Sequence, residues 1–266
     1  MKNVLLLAHD DEGEEARLQA ALDLTRALSG HLICLDIVQP PPVLVGAEMM
    51  TTHLEIELFE RARTAEASNL AGIKERLGAE DIPWSCLTAT GDIGELLADH
   101  SLFADIIVLN TGHADLKSPD MCEITSDVVH HTRRPVLAVP RSGHSFDPAG
   151  HALISWNGSA PVIETMRSAI PLLALASGVT LLEIGKPGRC PIDDAAVYLS
   201  RNGINARIEH VEHDDAATAL LGECRRREPA YCLVGAYSHS RLRETLFGGV
   251  TRRLLAESPV PLLLGH

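Results

Sequence analysis

Apolar residues in this chain come in short, nearly unbroken runs separated by longer amphipathic stretches. The runs at 4–8 (VLLLA), 32–38 (LICLDIV), 85–90 (SCLTAT), 105–109 (DIIVL) and 136–139 (VLAV) read as strands, most of them buried on both faces. Between them, apolar positions recur three and four apart over 14–28, a stretch stopped at Gly30, and over 52–77, 94–101 and 125–131, which predicts helices. The later part of the chain repeats the strand pattern with ALISW, VTLLEI, ARIEHV, YCLV and PLLL. Short apolar strands alternating with amphipathic helices predict an α/β fold built from parallel, doubly wound sheets with helices on both faces.

The pattern is also duplicated. Residues 104–108 match 230–234 and residues 134–139 match 260–265, both at an offset of 126. Nearer the start of each copy, 4–9 match 152–157 and 29–35 match 177–183, at an offset of 148. The first copy therefore carries 22 extra residues, placed around 40–68. The chain divides into a first domain at 1–140, a turn-rich linker at 141–150 and a second domain at 151–266. Each copy ends in a short apolar strand introduced by proline, Pro135 or Pro261, and such a strand left at an open edge would need a cover.

Composition narrows the function classes. A formal charge of −13 over 266 residues, with 3% aromatics, argues against nucleic acid or an anionic membrane as the main partner. The start, MKNVLLLAHDDEGEE, is too short and too soon acidic for a signal peptide, and no apolar run is long enough to span a bilayer, so a cytoplasmic protein is expected. Six cysteines without a Cys-x-x-Cys pair read as ordinary thiols. Among thirteen histidines, His130 and His131 are adjacent and diverge on a helix; His9 and His113, with Asp10 or Glu123, gather at one sheet edge without ligand spacing. No metal site is expected.

Candidate chemistry lies in 231–253, where a strand breaks at Gly235 and a Gly-Gly pair opens a helical segment. Unpaired N–H groups at a helix start favour an anion, and glycines let it approach. Arg241, Arg243, Arg252 and Arg253 against Glu244 make this window locally +3. In a doubly wound sheet, ligands bind beyond the carboxyl ends of the strands. The candidate site therefore comprises Ser155, Asn157, Ile184, Gly235, Tyr237, Ser238, Arg241, Gly248, Gly249, Val250 and Thr251. Asn157 also reads as a turn and helix cap with Ser159, and the arginines as surface charge. The matching window of the first copy, 109–127, holds Lys117 against Asp115, Asp120, Glu123 and Asp127, a local −3. No nucleophile elbow, zincin motif or complete phosphate loop is present.

Gly235 and Gly248 fall on the first and third glycines of the signature Gly, two residues, Gly, nine residues, Gly, Ser/Thr, with Ser238 and Gly249 at the other two positions. Together with the string GAYSHSRLRETLFGGVTRRLL, this resembles the universal stress protein family, tandem-domain type. The resemblance implies Rossmann-like domains packed as a pseudo-twofold dimer through their terminal strands. It also implies ATP or another adenine nucleotide, with or without Mg²⁺, as ligand, Asn157 standing where the family usually has Asp against the base or ribose. At offset 126 the first copy has Leu109, Gly112, Cys122 and Glu123 in the signature positions, so it resembles a degenerate site. Three readings stay open: a stress-response protein using nucleotide occupancy as a signal, an interaction module of the same fold for unknown protein clients, and a weak ATP hydrolase. A further homodimer would use other surfaces, the extra segment among them.

Overall fold

The computed structural model describes residues 1–40, 51–112, 120–143, 145–236 and 249–266, with backbone alone for 51–55. The first half runs β1 (Asn3–Ala8), α1 (Glu14–Leu28), β2 (His31–Val38), α2 (Thr51–Gly78), β3 (Trp84–Thr90), α3 (Ile93–His100), β4 (Ile106–Asn110), α4 (Met121–His131) and β5 (Val136–Val139). The second runs β6 (His151–Trp156), α5 (Ala160–Ser168), α6 (Ile170–Leu173), β7 (Gly178–Ile184), α7 (Ile192–Arg201), β8 (Ala206–Val211), α8 (Ala216–Arg227), β9 (Tyr231–Gly235), α9 (Gly249–Glu257) and β10 (Leu262–Gly265). The predicted strands all form. Helix α4 starts four residues before the expected Thr125, because Asp120 caps it by accepting from the N–H groups of Cys122 and Glu123 at 2.9 and 3.3 Å.

The ten described strands join in one sheet, ordered β3-β2-β1-β4-β5-β10-β9-β6-β7-β8. Each half is parallel throughout, and the halves meet through the antiparallel pair β5–β10, with Leu137 opposite Leu263. The two proline-led terminal strands thus cover each other, which gives the tandem fold its pseudo-twofold arrangement. Leu137, Ala138, Leu262, Leu263 and Leu264 have no exposed surface, and each large side chain enclosed there contributes roughly 1.5–3 kcal/mol. The two outer strands, β3 and β8, are only partly buried, and β8 carries Arg207 and Glu209, charges that discourage pairing with another chain.

The tertiary register corrects two of the sequence offsets. Strand β1 maps on β6 at 148, as expected. The pairings Asn3–His31 and His151–Gly178, however, place β2 on β7 at 147. Likewise Val4–Ile106 and Ala152–Tyr231 place β4 on β9 at 125, not 126. The packing agrees, since Leu32 and Val179 share one core layer while Leu35 and Leu182 share the other. A one-residue slip exchanges the two faces of a strand, and a strand apolar on both faces gives a sequence match little means of detecting it. The corrected mapping makes Asn110 the counterpart of Gly235, and Asp36 the counterpart of Glu183. The extra residues of the first half fall between β2 and β3, where α2 is 28 residues long against 10 for α7.

Candidate functional site

Strand order reverses between β1 and β4 in the first half and between β6 and β9 in the second, so each half has one crevice at its carboxyl edge. In the first half the crevice is filled from within. Arg17, fully buried on α1, donates to the carbonyls of Leu7 and His9 at 3.0 and 2.9 Å, to Asp11 at 2.8–3.0 Å, and to the amide oxygen of Asn110. Asn110 in turn donates to Gly13 O and Val139 O. A buried guanidinium with this many acceptors is satisfied in place. The nearby helix start is occupied as well, because the Asp120 carboxylate takes the α4 N–H groups an anion would need.

The extra segment seals the same edge. Glu66 of α2 pairs with His9 Nδ1 at 2.6 Å, and Asp36 lies beside them at 3% exposure. Among the described residues, one oxygen each of Asp36 and Glu66 has no hydrogen-bond partner. Burial, then the neighbouring Glu66, pushes the Asp36 carboxyl up to about 6. Burial alone would lower the His9 pKa, but its hydrogen bond and charge contact with Glu66 outweigh that and raise it. His9 thus pairs with Glu66, not with Asp10 or Glu123. The cleft left between α1 and α2, about 600 Å³, is lined by Asp10, Asp11, Glu12, Glu14 and Glu15, with Arg76 bound to Glu15. Its charge suits neither phosphate nor nucleotide. Among the described residues no group of three His, Cys, Asp or Glu converges as a metal site.

The second half is built differently. Thr165 replaces Arg17 at the 148 offset, and Gly235 replaces Asn110. A Cβ on Gly235 would collide with the backbone of Val162, and one on Gly265 with Thr165, so these glycines bring α5 down onto β9 and β10. The first glycine of the signature therefore has a packing role of its own. Ser155, Asn157, Ile184 and Gly235 come together at the carboxyl edge of β6, β7 and β9. Asn157 is exposed, and its side-chain oxygen accepts from Ser159 N at 3.1 Å and Ser159 Oγ at 2.7 Å, which is the expected turn; Ser159 holds the N-cap position of α5 but makes no side-chain cap hydrogen bond, so the expected cap does not form. At the start of α9, no described residue lies within 4 Å of a Cβ built on Gly249, Val250 is 48% exposed and Thr251 is buried in the core. Tyr237, Ser238, Arg241, Arg243 and Gly248 lie outside the described residues. Arg253 is committed to Asp215 at 3.0 Å and Glu257 at 3.1 Å, which lessens the local positive charge expected there.

Two features of this edge have little sequence signal. The connection after β7 folds back over the end of β6: Gly158, at φ +64°, is pressed against Cys190, Gly188 against the Asn157 carbonyl, and Trp156 Nε1 donates to Cys190 O at 3.1 Å. Glu183, beside Trp156 on the same face, is 4% exposed, with one oxygen 3.1 Å from His210 Nδ1 and the other without a partner among the described residues. An acidic residue inside an apolar run was the only hint of Asp36 and Glu183, and an arginine on the apolar stripe of α1 the only hint of Arg17.

A sheet of two doubly wound halves, each with a crevice at its switch point, defines a tandem Rossmann-like α/β protein. The sequence profile of the universal stress protein family matches residues 1–140, and the chain belongs to that family. No curated protein matches it. Among solved structures it is similar to a universal stress protein from Archaeoglobus fulgidus DSM 4304, at 14% identity over 99% of this chain and 95% of that one, TM-score 0.72. A protein from Pseudomonas aeruginosa UCBPP-PA14 described as a universal stress protein matches at 13% identity, 100% and 93% coverage, TM-score 0.55. The cytoplasmic domain of a prokaryotic cation chloride cotransporter shares the fold at 12% identity, 99% and 95% coverage, TM-score 0.52. Among the described residues no helix is long and apolar enough to cross a membrane.

Proposed function

We propose that this universal stress protein holds an adenine nucleotide, ATP or AMP, as a regulatory ligand in its second domain, 151–266, with 1–140 as a structural partner and 141–150 as the linker. The observation that carries the reading is the opposite fate of the two halves: Arg17 and the Asp120 cap fill the first crevice, while in the second no described residue stands within 4 Å of a Cβ on Gly249. Phosphates would lie against the N–H groups at the start of α9, with Ser155, Asn157 and Ile184 toward the base and ribose. The connection carrying Tyr237, Ser238, Arg241 and Gly248 would complete the cradle. Calorimetry on the full chain with ATP, AMP and GTP tests this. One adenine nucleotide per chain is expected, and Gly249→Glu, which installs the residue of the first half, should weaken binding at least tenfold with an unchanged melting temperature. Absence of binding by the wild type, or equal affinity in the variant, overturns it.

The folded-back connection at Gly188 and Cys190 favours a second reading, an interaction module that takes no nucleotide, because it narrows the room beside Asn157. A wild type that binds none of the three nucleotides yet stays folded supports that reading.

A further inference from the structure

Two pairs of thiols lie near each other in this chain. Cys34 on β2 and Cys86 on β3 are direct partners in the parallel register and pack on the same core layer. Cys224 on α8 and Cys232 on β9 pack in the other core layer. All four are free thiols.

Access and freedom to move separate the pairs. Cys224 and Cys232 are at most 1% exposed, and β9 is fixed between β10 and β6. Cys86 is half-buried on the outermost strand, which pairs with β2 alone. Parallel neighbours stand about 4.8 Å apart, inside the roughly 4.4–6.8 Å that a disulfide accepts between Cα atoms. Drawing the Cβ atoms to about 3.8 Å takes a small further shift. An edge strand can make that shift more readily than an inner one.

We propose that Cys34 and Cys86 are an oxidation site that closes to a reversible disulfide when the protein meets a hydroperoxide. The Cys86 thiolate, reachable from solvent, attacks the O–O bond of hydrogen peroxide, takes one oxygen as sulfenic acid and releases the other as hydroxide, which becomes water. The Cys34 sulfur then attacks the Cys86 sulfur. The S–O bond breaks, and its oxygen leaves as water with the proton Cys34 gives up. Two thiols and one peroxide become one disulfide and two waters. Burial pushes both thiols up, so the thiolate fraction is small at neutral pH and the rate climbs about tenfold per pH unit. A link closed against the strand spacing is readily reduced by a free thiol.

The test is hydrogen peroxide on the folded full-length chain, alkylation of the remaining thiols, digestion and mass spectrometry. The expected product is a linked peptide pair joining Cys34 to Cys86, reversed by dithiothreitol and forming faster at pH 8.5 than at pH 7. Cys34→Ser should leave a sulfenic acid on Cys86 that dimedone labels, whereas Cys86→Ser should leave Cys34 unoxidised. Failure to find the linked peptide, prior linkage of Cys224 to Cys232, or no dimedone label on Cys86 in the Cys34→Ser chain would each overturn the proposal.

Discussion

Arg17 shows what one side chain does to a ligand site. Its guanidinium satisfies carbonyls at the end of β1, the Asp11 carboxylate and the Asn110 amide at once, so the first crevice is closed by a charge network and not by apolar packing. Arg17→Met should cost about 3–5 kcal/mol in urea unfolding, because Asp11 and Asn110 would be left buried without their partner. A loss under 1 kcal/mol would mean the network is incidental. Asp36 makes a pH prediction. Its carboxyl titrates near 6 in the folded chain and near 3.8 when unfolded, so between those values the native state holds the extra proton. Stability from this group therefore falls as pH rises from about 4 to about 6, and the penalty is complete above that. Asp36→Asn should add on the order of 1–3 kcal/mol at pH 8 and little at pH 4. His9 is unaltered in that variant and, with its raised pKa, keeps its own loss of stability as pH rises through neutrality. Parallel melting curves for wild type and variant across the pH range would refute the assignment.

At the scale of elements, equivalent helices have diverged in what their ends can receive. Helix α4 consumes its first N–H groups on Asp120, whereas at Gly249 of α9 no described residue comes within 4 Å of an added Cβ, and the Gly249→Glu experiment addresses that contrast. Helix α5 sits close to β9 only because Gly235 and Gly265 lack side chains. Gly235→Ala, by forcing a methyl group against Val162 N, should destabilise the fold by about 1–3 kcal/mol before any ligand is considered. An unchanged unfolding midpoint would show that α5 moves aside at no cost. Helix α2 has no counterpart of its length in the second half, and it docks through Glu66, Asn69 and Arg76 on His9, Glu14, Glu15 and Gln19. The extra segment is thus in part a cover for the first crevice. Ile56 and Leu58, near its start, remain exposed.

For the molecule as a whole, β5 and β10 make one sheet of two halves. Leu137 and Leu263 face each other across the centre, so Leu263→Asp should bury an unpaired carboxylate in the seam and cost several kcal/mol. Produced separately, 1–140 and 150–266 should either aggregate or recombine on mixing; two stable monomers that ignore each other in sedimentation would contradict the seam's importance. The strand and helix pattern, the duplication and the extra residues of the first copy were all readable from the sequence. Periodicity follows from burial of one face or both, and charge signs need no coordinates. The one-residue register shifts at β2/β7 and β4/β9 were not readable, because a strand apolar on both sides looks alike in either frame. Nor were the closure of the first crevice by Arg17 and Glu66, the pairing of buried carboxylates at Asp36 and Glu183, or the register that sets Cys34 beside Cys86. Each joins residues tens of positions apart, and only the packing of helices on a shared sheet decides which of them meet.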